Sequence, residues 1–257
     1  MTLPLLYVCV RPQQGAAAAE YASFRTATKL DESRLAQHDL VRDPLPGDVF
    51  ERYGGFLIGG SPFNVADPES TKTDVQRRLE ADLERIAGHV AAVAEPAGST
   101  TAGSGPAAMF TCYGIGIVTR LLGGEVSRAY PEDTGPVTVE LTADGQSDPL
   151  FGGLATRFTT LTAHKEGAGD PPPGATLLAR NDSCPVQAYR VGDRLYATQF
   201  HPEPTARAFT ERMAVYRDDG YFDARDYDSI AGRVLAASVT EPARLLRAFA
   251  RAFGPAD

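Results

Sequence analysis

Residues 107–116 read Ala-Ala-Met-Phe-Thr-Cys-Tyr-Gly-Ile-Gly, a short apolar run that passes straight through Cys112 into a second apolar stretch containing Ile117, Val118, Leu121 and Leu122. A run this short, bounded by turn residues, reads as a buried strand, and the second stretch reads as an apolar helix. Strand-to-helix joints of this kind belong to parallel sheets covered on both faces. The joint would set the Cys112 thiol on a sharp turn at the positive end of a helix dipole. The dipole field and the free N–H groups there stabilise a thiolate.

The rest of the chain repeats the alternation. Leu5 to Val10 reads as a buried strand and Gln14 to Thr28 as a helix. Gly55 to Gly60 is a short strand ending in a glycine turn. Thr73 to Ala94 is an amphipathic helix, with Val75, Leu79, Leu83, Ile86 and Val90 at spacings of three and four. Thr73 and Gln76 suggest a capping box. A small-residue loop, Pro96 to Pro106, leads to the strand before Cys112. From Glu125 to Gln199 the pattern turns to short β stretches (Val137–Leu141, Phe158–Thr162, Val186–Tyr189, Leu195–Phe200) punctuated by Gly and Pro. The last fifty or so residues return to helix, most clearly Glu241 to Phe253. In such sheets ligands bind at the carboxyl ends of the strands, where the Gly59-Gly60 turn and Cys112 both fall.

Gln199-Phe200-His201-Pro202-Glu203 supplies what a cysteine nucleophile lacks. His201 can take the thiol proton and Glu203 can hold the imidazole. The chain has three cysteines, too few and too scattered for a disulfide framework or a zinc cluster, and this fits a reduced, cytoplasmic setting. Cys9 reads as a core residue, and Cys184 has no assigned role. A net charge of −8 without a basic run argues against nucleic acid. No window reaches the roughly 18 apolar residues of a membrane span. The apolar N-terminus lacks a basic leader and reads as a first core strand. No metal or other cofactor is expected, and His38 and His89 read as structural.

Four stretches, in order, carry a resemblance: Gly54 to Pro62, the Cys112-Tyr113-Gly114 elbow, Gly123-Gly124-Glu125-Val126, and Gln199 to Glu203. Together the chain resembles the class-I, triad-type glutamine amidotransferases and is similar to the amidotransferase domain of GMP synthase. The resemblance implies an α/β, flavodoxin-like fold with a mostly parallel central sheet flanked by helices. A hairpin-rich second half and a helical C-terminal extension complete the expected architecture. Residues 1–203 would form the amidotransferase-like domain and 204–257 an extension packed on it.

It also implies roles. Cys112 would attack the side-chain amide of glutamine, with His201 as base and acid and Glu203 fixing its tautomer. Backbone N–H groups around Gly59, Gly60, Ser61 and Tyr113 would stabilise the oxyanion, and Gly114 would relieve crowding in the turn. His164, in His164-Lys165-Glu166, is a candidate substrate or partner contact, with a solvated charged turn as the alternative. Two departures stand out. Thr111 precedes the nucleophile where a hydrophobic is usual. Gly116 occupies the position, four residues after the nucleophile, where the family usually carries a Gln that holds glutamine. Restoring that Gln should lower the glutamine KM if the pocket has been reshaped.

The chain shows no ATP-binding signature. The expected partners are therefore glutamine or a related amide and a separate synthetase subunit receiving ammonia. The alternatives are a stand-alone hydrolase of γ-glutamyl or other amide compounds and a catalytically silent subunit on the same fold. In the extension, aromatics interleave with acids from Tyr216 to Asp223. They could dock a partner or simply pack over the domain's own sheet edge.

Overall fold

The computed structural model describes residues 3–95, 105–218 and 220–255. Most of the expected 96–106 loop, and Asp219 within the aromatic–acidic stretch, lie outside the described residues. Among the described residues a single nine-stranded sheet runs through the protein. Its first half is parallel: β1 (Leu5–Cys9) lies between β2 (Leu35–Asp39) and β3 (Gly55–Ile58), followed by β4 (Ala107–Thr111) and β9 (Leu195–Thr198). The second half is antiparallel, from β9 through β8 (Ala188–Val191) and β7 (Ala175–Arg180) to β5 (Glu132–Leu141) and β6 (Arg157–His164). The hairpin-rich segment therefore extends the same sheet. The result is a mixed sheet of flavodoxin-like organisation, its antiparallel part as extensive in pairings as the parallel part.

Side chains alternate across a strand, and the core divides accordingly. From β1, Leu5, Tyr7 and Cys9 enter one layer with Phe24, Met109, Leu245 and Phe249, under α1 (Gln14–Thr28) and α8 (Glu241–Phe253). Leu6 and Val8 enter the other with Leu79, Leu83, Ile86, Val90 and Ile117, under α3 (Asp74–Val93) and α4 (Tyr113–Leu121). Thr73 caps α3 by accepting from the Gln76 amide at 3.1 Å. The Gln76 side chain reaches Asn64 O and Glu80 rather than returning to Thr73, so the box is half formed. Val75, expected on the apolar face of α3, is exposed.

The residues after 203 form α6 (Ala206–Val215), a 3-10 turn at Ala224–Asp226, α7 (Tyr227–Ala236) and α8. Phe209, Met213, Ile230 and Val234 make a third apolar cluster around Leu161 of β6, while α8 joins the α1 layer. Among the described residues no helix is long and apolar enough to cross a membrane.

Candidate active site

Strands β3, β4 and β9 are neighbours, so their carboxyl ends deliver the Gly59-Gly60-Ser61 turn, Cys112 and His201 to one place. The joint at Cys112 is sharp. Its φ of 52° and ψ of −105° lie where a residue with a Cβ is strained, and such strain persists only where the surroundings enforce it. Here they do: the Cys112 amide donates to Thr198 O at 2.8 Å and the Ile115 amide to Cys112 O at 3.1 Å. The departure at Thr111 has a structural use, because its hydroxyl donates to Ile58 O at 2.8 Å and ties β4 to β3. This strand–turn–helix geometry is that of a nucleophile elbow.

His201 and Glu203 lie in the segment after β9. The amide of His201 is fixed to Leu161 O at 2.9 Å, and its Nδ1 sits 3.0 Å from Glu203 Oε1. Both side chains are buried. Burial alone would push the imidazole down. The Glu203 carboxylate and the neighbouring Cys112 outweigh burial and Arg212, and they hold His201 up at about 9. Burial would raise the Glu203 carboxyl, yet His201 and Arg212 keep it well below the usual carboxylate range.

Arg212, on α6, was not singled out in the sequence. Its Nη1 donates to Glu203 Oε1 at 2.6 Å, sharing that oxygen with His201, and to Glu20 Oε1 at 3.2 Å. Glu20 in turn accepts from Tyr7 OH at 2.7 Å and from Arg11 Nε at 2.9 Å, and Arg11 Nη1 donates to Tyr216 OH at 2.9 Å. Two guanidiniums and two carboxylates thus alternate under the site. Glu20, His201 and Glu203 present ligand atoms within 4.8 Å of one another, the spacing of a metal cluster. Arg11 and Arg212 already supply the positive charge that an ion would bring, so the set does not suit one.

The structure corrects the oxyanion assignment at two positions. The Gly59 amide donates to Val8 O at 3.2 Å and the Gly60 amide to Glu20 Oε1 at 3.2 Å, so neither is available to a ligand. Both glycines instead permit close packing. A Cβ at Gly60 would lie 2.7 Å from His201 Cε1 and 2.8 Å from Arg11 Nη2, and one at Gly59 would strike Glu20. The amides of Ser61 and Tyr113, which flank Cys112, meet no acceptor among the described residues. The Tyr113 hydroxyl is tethered away, to Glu80 Oε1 at 2.9 Å. Gly114 likewise serves packing: a Cβ there would lie 3.0 Å from Phe110.

A cleft of about 440 Å³ opens beside the thiol, lined among others by Ser61, Asn64, Tyr113, Lys165, Glu166 and Gln199. Gly116 forms part of its wall. The space a longer side chain would enter holds Val65 Cγ2, 3.0 Å from the position of a Cβ, with Glu166 Oε1 at 3.7 Å. Glu166 is fixed there by the amides of Val65 and Ala66, at 2.6 and 2.9 Å. Burial nevertheless raises its carboxyl above the ordinary value, against the lowering by those amides.

His164 is buried rather than a solvated turn. Nδ1 is 2.8 Å from Glu166 O and Nε2 is 2.8 Å from Glu132 Oε2. Glu132 also accepts from Asn181 and Gln187, which help keep it ionised despite its burial. His164 therefore positions the segment that carries Lys165 and Glu166. His38 bonds Asp43 O and His89 stacks on Phe50, both away from the thiol.

The fold and site define an α/β protein with a cysteine at a nucleophile elbow and a buried His–Glu pair beside it. Residues 104–215 match the family model described as glutamine amidotransferase class-I. The GMP synthase [glutamine-hydrolyzing] of Thermomicrobium roseum is 38% identical over 100 residues, 39% of this chain and 18% of that protein. Gamma-glutamyl peptidase 3 of Arabidopsis thaliana is 26% identical over 160 residues, 60% of this chain and 55% of that one. A glutamine amidotransferase structure from Thermotoga maritima superposes with a TM-score of 0.73, at 16% identity, over 98% of each chain. Over residues 104–215 the chain is thus similar to the class-I glutamine amidotransferases, and its fold is theirs. It spans only about a fifth of the length of the Thermomicrobium GMP synthase.

Proposed function

We propose that this protein hydrolyses the side-chain amide of glutamine, or of a γ-glutamyl compound, through a thioester on Cys112. The observation that carries the reading is the strained elbow cysteine beside a buried imidazole whose Nδ1 is held by Glu203. With Glu203 ionised, His201 presents Nδ1–H to it and leaves Nε2 for the thiol. The thiol proton passes to Nε2, and the thiolate attacks the amide carbon. The oxyanion that forms has the Ser61 and Tyr113 amides as candidate donors. One such donor is worth about 3–4 kcal/mol in acyl transfer. His201 returns the proton to the departing nitrogen, and water then resolves the thioester with His201 as base. In the polar cleft, Glu166 can accept from the ammonium of a γ-glutamyl group.

With glutamine the departing group is ammonia, and a synthetase on another chain is the expected acceptor. The test is release of glutamate and ammonia from glutamine, with γ-glutamyl amides assayed alongside. Wild type is compared with Cys112→Ala and His201→Ala, with folding checked by circular dichroism. Turnover abolished by either substitution supports the reading. Turnover that persists in Cys112→Ala refutes the thioester. A folded wild-type protein inert toward every amide, and unable to form an acyl-enzyme, would be the silent subunit instead.

A further inference from the structure

Two clefts meet at Cys112. The polar one lies on the Glu166 side. The other lies on the His201 side and is lined by Phe209, Met213, Tyr216, Tyr221 and Phe222 from the residues after 203, with Thr134 and the ion-paired Arg11 and Arg212 at its base. Ser61, Cys112, Ala163 and Tyr221 border both. Tyr221 stands between them: its hydroxyl is 3.5 Å from Ser61 O, and Lys165 Nζ lies 4.9 Å from its ring centre. The aromatic wall is fixed from below, because Tyr216 OH accepts from Arg11 at 2.9 Å and donates to Gln13 Oε1 at 3.2 Å.

This placement matters for the reaction. In the proposed chemistry the acyl half of the substrate lies on one side of the thiol, and the nitrogen that leaves must lie against His201, which protonates it. The aromatic cleft is on that side. Aromatic rings and Met213 give an apolar substituent surface to pack on and do nothing for ammonia.

Resting on the proposed thioester function, we infer that the second cleft is the leaving-group subsite. It would take the substituent of a secondary γ-glutamyl amide whose amine is apolar and bulky, preferably aromatic. Cys112 attacks the γ-carbonyl carbon and the C–N bond breaks. His201 transfers its proton to the nitrogen, and the free primary amine departs from the aromatic cleft. Water adds to the thioester, giving glutamate and regenerating the thiol. The sum is one amide and one water in, one carboxylic acid and one amine out.

The test uses the whole chain and a graded series: glutamine, γ-glutamylmethylamide, γ-glutamylbutylamide and γ-glutamylbenzylamide, assayed by glutamate release. A single methylene placed in an apolar pocket changes kcat/KM by about 10-fold or more. The benzylamide should therefore exceed the methylamide by at least about 10-fold. Phe222→Ala, which removes one wall of the cleft, should reduce the benzylamide-to-methylamide ratio. Should that variant fold poorly, competition of benzylamine against methylamine as product inhibitors of the wild type gives the same comparison. A flat or falling series with glutamine still turned over overturns the subsite while leaving the thioester reading intact. Failure of every amide, with no acyl-enzyme at Cys112, overturns both.

Discussion

Replacing Glu203 by glutamine keeps the shape of the side chain and an acceptor for His201 Nδ1, and removes the charge. At 3.0 Å and an effective dielectric near 20, the charge attraction is worth about 5.5 kcal/mol, or about 4 pK units. The rise of His201 from 6.5 to about 9 is on the order of 3 kcal/mol. Burial and Arg212 take back more than the difference, since Cys112 also raises the imidazole. Without the charge, burial and Arg212 are opposed only by Cys112, and His201 falls.

If the reactive form is a Cys112 thiolate beside a protonated His201, kcat/KM must decline on the alkaline side as the imidazolium is lost. The limb should lie near pH 9 in the wild type and at a clearly lower pH in Glu203→Gln. Stability gives a second readout. The folded pKa of His201 is above its unfolded value, so its stabilising contribution is complete below about pH 6.5 and fades as pH rises through about 9. Denaturant titrations at pH 6 and 9.5 should therefore show a loss in the wild type that is absent from the variant. Glutamate release across pH 5–10 supplies the profile. Coincident alkaline limbs in the two proteins, or a wild-type limb near 6.5, would refute the reasoning.

Cys112 should be the thiol alkylated by iodoacetamide at pH 7.5, because burial pushes Cys9 to about 11 and Cys184 to about 12; peptide mapping that finds all three labelled equally would count against it. Arg212→Met leaves Glu203 and Glu20 undercompensated, and removing one partner of a buried ion pair costs about 3–5 kcal/mol in denaturant titration. The same change should move the alkaline limb upward, opposite to Glu203→Gln, because Arg212 holds His201 down; a limb that stays put would remove Arg212 from the site's electrostatics. Gly116→Gln reverses the sequence-based expectation. The added side chain meets Val65 at 3.0 Å in a wall already completed by Glu166, so KM for glutamine should rise, with about 1–3 kcal/mol of stability lost to overpacking. A fall in KM would show that Val65 gives way.

The parallel half of the sheet was legible because each of its inner strands is a continuous apolar run, and α3 because its buried residues recur at helical spacing. Strand β2 was not, since only Leu35 of its five residues is buried and an edge strand carries little apolar signal. Strand β7 was hidden between Pro171-Pro172-Pro173-Gly174 and a turn. Cys112, His201 and Glu203 could be named from short motifs, since each sits beside a strand end with its partners close in sequence or in strand order. The oxyanion donors could not, because whether an amide is free depends on what else reaches it. Glu20 takes the Gly60 amide from a helix forty positions away.

Glu20 did leave a trace in the sequence: it lies on the same face of α1 as Ala16, Ala17, Phe24 and Ala27, where an apolar residue would be expected. A carboxylate in that stripe must find charge or donors inside the protein. Its partners come from both ends of the chain, Arg11 just after β1 and Arg212 on α6, and no local pattern links them. Packing over the sheet edge, one of the two expectations for the residues after 203, accounts for Phe209 and Met213 beside Leu161 of β6 but not for Arg212, whose guanidinium shares the Glu203 oxygen that orients His201. The residues after 203 thus act on the site in two ways: they set the charge behind the imidazole and build the aromatic wall in front of it. A change in α6 that leaves its apolar face intact can therefore alter the pH dependence or the leaving-group preference without disturbing the fold.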